Sequence, residues 1–186
     1  MTSKTIFAAT GALALTATMA LAAMDNPMVG GAEMYPERNI IENAVNSADH
    51  ETLVAAVKAA GLVETLQGEG PFTVFAPTDA AFGMLKDGAV EALLEPEAKK
   101  QLTQILTCHV VGADAMAMAI KGMIDDDGGM HIVPTLGGCE LKATYSGDKI
   151  MLEDERGRVI NVTIADVKQS NGVIHVVDRV ILPPRP

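Results

Sequence analysis

The chain has 186 residues, of which 48% are hydrophobic and only 3% aromatic, with 14 Lys and Arg against 24 Asp and Glu. The resulting formal net charge of −10 gives a surface that repels nucleic acid and anionic lipid headgroups, so both partner classes are set aside. The length suffices for one domain with a sizeable core and is short for two.

At the N-terminus Lys4 precedes the apolar run IFAATGALALTATMALAA, which gives way to polar MDNPMVGG. That is the layout of a secretory leader, and Ala20-Leu21-Ala22 supplies the small residues of a cleavage site after Ala22. The competing reading is a retained anchor, since the run approaches the roughly 20 residues of a membrane span; its Gly, Thr and Ala content leaves it weakly hydrophobic. Residues 1–22 are read as a signal peptide and the protein as exported (periplasmic, secreted or cell-surface), with no stable membrane insertion after removal of the leader. Residues 23–36, rich in Met, Gly and Pro without a hydrophobic period, read as a flexible arm on which little depends. A single domain then spans 37–186.

Within the domain, NIIENAV predicts a short helix and DHETLVAAVKAAG a longer one, with Asp49 as N-cap and Gly61 as stop. Leu53, Val54, Val57 and Leu62 would form its buried stripe. In GPFTVFAPTDAAF, Phe72, Val74 and Ala76 alternate with Thr73 and Phe75, which is a strand. Pro77 ends it, and Thr78 or Asp79 can cap the helix that follows. A further helix is signalled by Pro96, by Glu95 four residues before Lys99, and by Leu102, Ile105 and Leu106 on one face. CHVV at 108–111 reads as a strand, ADAMAMAI as a short helix and IDDDGG as a solvated turn. The remainder is mostly β: GCELKATY, KIMLED, RVINVTIADV and GVIHVVDRVIL, separated by Ser146-Gly147, Arg156-Gly157 and Asn171-Gly172. The last strand is apolar on both faces and should be central, and Asp178 within it needs a partner. Helices in the first half and strands in the second predict an α+β domain.

No pattern here carries catalysis. The corner at Pro77-Thr78 lacks Gly-x-Ser-x-Gly, so it is read as a packing corner. His50, His109, His131, Cys108 and Cys139 lack zinc spacings, and DDDGG misses the calcium-loop template by one place; no cofactor or metal is expected. In an exported chain Cys108 and Cys139 have one intramolecular pairing open to them, a bond that stabilises by roughly 3–4 kcal/mol on the chain-entropy account. The other reading is two small buried apolar side chains.

GPFTVFAPTDAAF, followed by NGVIHVVDRVILP, resembles the two signature boxes of the fasciclin domain. LTQILTCHVV is similar to the family's middle segment and NIIENAVNSADHETLVAAVKAAGLVETL to its helical opening, so the resemblance covers about Asn39 to Pro184. It implies a wedge of about seven β-strands with several short helices packed on one side, in proteins exported or held at the surface for adhesion. The integrin-recognition pairs ascribed to animal relatives, Tyr-His and Asp-Ile, fall on Cys108-His109, where tyrosine is absent, and on Asp166-Val167. The expected function is an exported, non-enzymatic adhesion or protein-interaction module that meets a cell-surface or matrix protein or a glycan. The alternative is an exported hydrolase or small-ligand or metal-binding protein built on His109, Asp79 and nearby carboxylates. An open cleft beside His109 would favour that alternative, and an enclosed, hydrogen-bonded His109 would remove it.

Overall fold

A computed structural model describes residues 26–185; the signal-peptide reading of 1–22 lies outside them. The elements in chain order begin with a hairpin, β1 (Met28–Val29) and β2 (Ala32–Glu33). Helices α1 (Ile40–Ala44), α2 (Glu51–Ala60) and α3 (Val63–Gln67) follow, then strand β3 (Phe72–Pro77). Next come α4 (Asp79–Gly83), α5 (Ala89–Leu94), a 3-10 turn (Pro96–Ala98), α6 (Lys99–Thr107), β4 (Val110–Val111) and α7 (Ala117–Asp126). The chain finishes as β5 (His131–Pro134), β6 (Glu140–Ser146), β7 (Lys149–Glu153), β8 (Val159–Gln169) and β9 (Gly172–Val177). This is an α+β fold with a seven-stranded, barrel-like sheet ordered β4-β3-β9-β8-β7-β6-β5. Just past β5, Leu136 N–H donates to Val110 O (2.8 Å) and Gly137 N–H to Thr107 O (3.0 Å), drawing the two outer strands of the sheet together.

The packing corner organises the centre of that sheet. β3 and β9 pair in parallel from Phe72↔Gly172 to Pro77↔Val177, so the two boxes that resemble the family signature lie side by side. Because side chains alternate along a strand, this pair feeds two cores. Val74, Ala76, Ile174 and Val176 pack against buried residues of α1, α2, α4 and α6. Phe75 and Val177 face the opposite way, into a core with Ile120 and Ile124 of α7 and Leu141, Leu152 and Ile160 of the β6–β8 meander. Phe75 is wholly buried, and its ring stacks on His175 with centroids 5.6 Å apart.

Several sequence expectations are corrected. Part of the segment read as a flexible arm is built structure: β1 and β2 pair, Val29 and Met34 are buried, and Ala48 N–H donates to Gly30 O (3.1 Å). Two buried apolar side chains and the backbone hydrogen bonds beside them outweighed the Met, Gly and Pro composition on which the arm reading rested. CHVV is not one strand, because Cys108 is the C-cap of α6 and only Val110–Val111 pair with β3. The IDDDGG turn is shorter than expected, since α7 runs on through Asp126. HIVP, which shows no alternation long enough to read, forms β5 against β6. The α2 N-cap is not Asp49; the helix begins after His50 with no side-chain cap of its own.

If Phe75 and Phe82 anchor the two cores, Phe75→Ala and Phe82→Ala each destabilise by about 3–5 kcal/mol. Denaturant unfolding measures this, and a loss under about 1 kcal/mol in both variants would show that the corner is not a core element.

Candidate adhesion motif and the buried histidines

Asp79 illustrates how the helices are held. Thr78 caps its own helix by accepting from Ala81 N–H, which leaves the Asp79 carboxylate free to accept from Thr52 N–H (2.8 Å) and Glu51 N–H (3.3 Å). It thereby caps α2 from outside, where a negative charge also meets the positive end of the helix dipole. Asp79 N–H in turn donates to Asp49 O (2.8 Å). The carboxylate assigned to the hydrolase alternative is therefore committed to joining two helices.

His109 is committed too. It is 1% exposed, its Nδ1 lies 2.8 Å from Ile105 O, and its Nε2 lies 2.8 Å from Ile181 N. A carbonyl can only accept and an amide N–H can only donate, so Nδ1 carries the proton and Nε2 accepts. Burial holds the imidazole well below its ordinary value, at about 4. The ring fastens the end of α6 to the C-terminal segment and leaves no nitrogen for a substrate. That geometry removes the hydrolase reading that rested on His109. Around it, Arg158 bonds both Asp154 and Val180 O (2.9 Å), while Arg156 Nε donates to Pro183 O (2.6 Å). Asp178, whose partner the sequence left open, accepts from Asn161 N–H (2.8 Å) and Asn161 Nδ2 (2.7 Å).

Asp166 and Val167 lie where β8 shifts register against β9. Asp166 adopts a left-handed φ of 60°, a conformation aspartate tolerates better than most residues, and such a bulge re-aims a side chain. Here the carboxylate is turned to accept from Ala117 N–H (2.7 Å) at the start of α7, a helix whose N-cap Met116 offers no side-chain acceptor. Asp166 thus caps α7 from mid-strand. Asp166 N–H donates to His175 Nδ1 (3.2 Å), and His175 Nε2 donates to Ala115 O (2.8 Å). Val167 is fully buried. Of the four candidate motif residues, Cys108, His109 and Val167 face the interior, and Asp166 is half-buried and bonded.

Cys108 and Cys139 are joined as a disulfide with Cα atoms 5.4 Å apart. In the sequence both cysteines read as lying at the start of strands, but the bond runs from the end of α6 to the loop before β6. Gly137 passes so close that a Cβ there would sit 2.6 Å from Cys108 N. Among the described residues, no three His, Cys, Asp or Glu side chains gather as a metal site, and no helix is long and apolar enough to cross a membrane.

His50 and His175 are also buried. His50 bonds Ser47 Oγ through Nδ1 (2.8 Å), and both His50 and His175 are held below the ordinary value by burial. A group whose folded pKa is depressed below its unfolded value of about 6.5 keeps the native state neutral while the unfolded chain takes up protons. Stability from all three is therefore complete above about pH 6.5. It falls as pH drops from there toward 4, by on the order of 3 kcal/mol for His109 alone. Urea unfolding across pH 4–7.5 should show this slope, and His109→Gln should remove its share; a flat profile would mean the rings protonate in place.

A fasciclin domain family model matches residues 48–183. Protein sll1483 of Synechocystis sp. is 43% identical over 171 residues, covering 90% of this chain and 88% of that one. Immunogenic protein MPB70 of Mycobacterium bovis is 28% identical over 202 residues, covering 98% and 96%. Transforming growth factor-beta-induced protein ig-h3 of Sus scrofa is 36% identical over 132 residues, covering 71% of this chain but 17% of that protein. Among solved structures, a FAS1 domain pair from the insect cell adhesion molecule fasciclin I superposes with a TM-score of 0.71 at 19% identity, covering 79% of this chain and 51% of that chain, a likeness of fold. With its two boxes paired in parallel at the centre of the sheet and the family match running from the start of α2 to the C-terminal latch, the chain belongs to the fasciclin domain family.

Proposed function

We propose that this chain is an exported, non-enzymatic module for cell adhesion, meeting a cell-surface or matrix protein or a glycan without a cofactor. The observation that carries the reading is where the polar chemistry goes. His109, His175, Asp79 and Asp166 each complete a hydrogen bond that holds one element to another, and His131 Nδ1 is paired with Asp127 Oδ2 (2.6 Å) across the α7–β5 junction. His109 touches the apolar pocket between α1, α2 and α3, but both of its ring nitrogens are bonded within the fold, so it presents no free base there. The fasciclin domain supplies the adhesion context, and the leader-like residues 1–22 supply the route out of the cell.

The test is attachment of cells and of matrix-coated beads to immobilised mature protein, with intact mass fixing where the exported chain begins. Dose-dependent attachment by a chain lacking about the first 22 residues is expected. Absence of attachment from correctly folded protein would remove the adhesive reading, and recovery of only the full-length chain from membranes would replace export with anchoring. His109→Ala should lower attachment only in proportion to the folded protein lost. A folded His109→Ala variant that no longer attaches would restore His109 as a recognition residue.

A further inference from the structure

We propose that the apolar groove between α1, α2 and α3 docks an amphipathic helix of a partner protein, one carrying apolar residues on one face and Lys or Arg along its flanks. The proposal rests on the interaction-module reading and names the chemistry of the partner. The floor is made by buried Leu53, Val57 and Leu66, while Ile41, Val54 and Leu62, only half-buried, form the walls. The groove continues past Ala44 and Val54 into an open trough lined by Val45, Ala55 and Glu51, where Val45 is 50% exposed. Among the described residues, none packs over the exposed parts of these side chains.

The volumes decide what sort of ligand fits. The deep end holds about 40 Å³, far below the roughly 300–1,000 Å³ of a small-molecule site, yet enough for the tip of a branched apolar side chain. The trough holds about 270 Å³ but is open to solvent and suits a surface to be covered. Along α2 from Glu51 to Ala60 the wall runs about 14 Å at 1.5 Å per residue, room for three successive anchors at i, i+4 and i+7 of a docked helix, which span about 10 Å.

The groove also limits how a partner can be held. Its walls are helices, whose backbone groups are satisfied internally, so strand addition finds no open edge here. Its lining includes no Phe, Tyr or Trp, whereas grooves for polyproline segments are lined by aromatics. Helix-in-groove docking remains. The charges then set the partner's sign: Glu51 lines the trough, Glu42 and Glu64 are exposed beside Ile41 and Val63, and among the described residues Lys58 is the cation in the lining. With the chain at −10 overall, a basic helix is steered toward the groove and an acidic one away from it.

The probe is a synthetic helical peptide of about 18 residues with Leu at i, i+4 and i+7 positions and Lys on the flanks, set against a scrambled peptide of the same composition and a peptide with Glu in place of Lys. Anisotropy titration should show the Leu/Lys helix binding at least about tenfold more tightly than either control. Amide shifts in labelled wild-type protein should centre on Ile41, Ala44, Val54 and Leu62. Val54→Arg should weaken binding about tenfold or more with an unchanged unfolding midpoint, and Ala44→Glu serves if Val54→Arg loses stability. Equal binding of the scrambled peptide, or shifts centred on another surface, would overturn the proposal. So would a dimer in sedimentation that Val54→Arg dissociates, because the occupant would then be a second copy of the chain. The attachment assay separates this idea from the reading beneath it. If Val54→Arg abolishes peptide binding but keeps cell attachment, the groove is not the adhesive surface and adhesion stands; if folded wild-type protein never attaches, adhesion itself fails.

Discussion

The parallel pairing of β3 with β9 is the constraint on which the rest depends. Two strands so distant in sequence can approach only if their entry is free of side-chain bulk, and Gly172 provides that. A Cβ at Gly172 would lie 1.9 Å from Phe72 O, and Gly172 has a φ of 153°. Asn171 then holds the junction by accepting from Ile40 N–H (3.1 Å) and donating to Leu66 O (2.8 Å) and Gly68 O (2.9 Å). One backbone crossing therefore fixes the strand pair, the start of α1 and the end of α3 at once. Parallel strands buried on both faces need apolar residues on both, which is why FTVFA and GVIHVV look continuous instead of alternating.

The exceptions to that apolar rule are Thr73 and His175, and each reaches the same loop. Thr73 Oγ1 donates to Ala113 O (2.6 Å) and accepts from Ala115 N–H (2.8 Å), and His175 donates to Ala115 O. Buried polar groups are costly unless satisfied, and here their satisfaction is what ties the irregular segment between β4 and α7 to the sheet. His109 does the same at the opposite end for the chain after β9. The fold spends its polar side chains on connections that regular secondary structure does not make.

How far this was legible in the sequence follows from the range of each interaction. The strand–turn–helix at Phe72 to Phe82, the Gly61 stop and the central position of β9 were readable because propensity, capping and periodicity act over a few residues. The β1–β2 hairpin was not: two-residue strands show no period, and Val29 and Met34 are buried only because α1 and the loop before α2 lie beside them. The α2 cap was misassigned for the same reason. Asp49 sits at the expected spacing, but Asp79 reaches the orphan N–H groups of α2 from 27 and 28 residues away. For the site, the family resemblance singled out His109 and Asp166, and the direction each side chain takes is set by tertiary contacts. His109 turns inward because Cys108 ends a helix instead of beginning a strand, and Asp166 turns toward α7 because β8 bulges.

Cys108, His109 and Val167 face the interior, so the proposed adhesive role would rest on other surface residues of the same framework. The β half of the molecule is internally closed, with its outer strands drawn together and the Cys108–Cys139 bond beside the junction. The helical half is different in kind: α1 and α3 are five residues each, too short to be stable apart from their packing and too short to cover all the apolar surface of α2. What they leave bare is a trough whose shape is fixed from below by the β3–β9 pair and whose rim carries exposed residues such as Glu51 and Glu64, with Glu42 held by the α1 capping box. Such a surface can change partner by changing a few rim charges, while the strand pair, the caps and the buried histidines beneath it stay as they are.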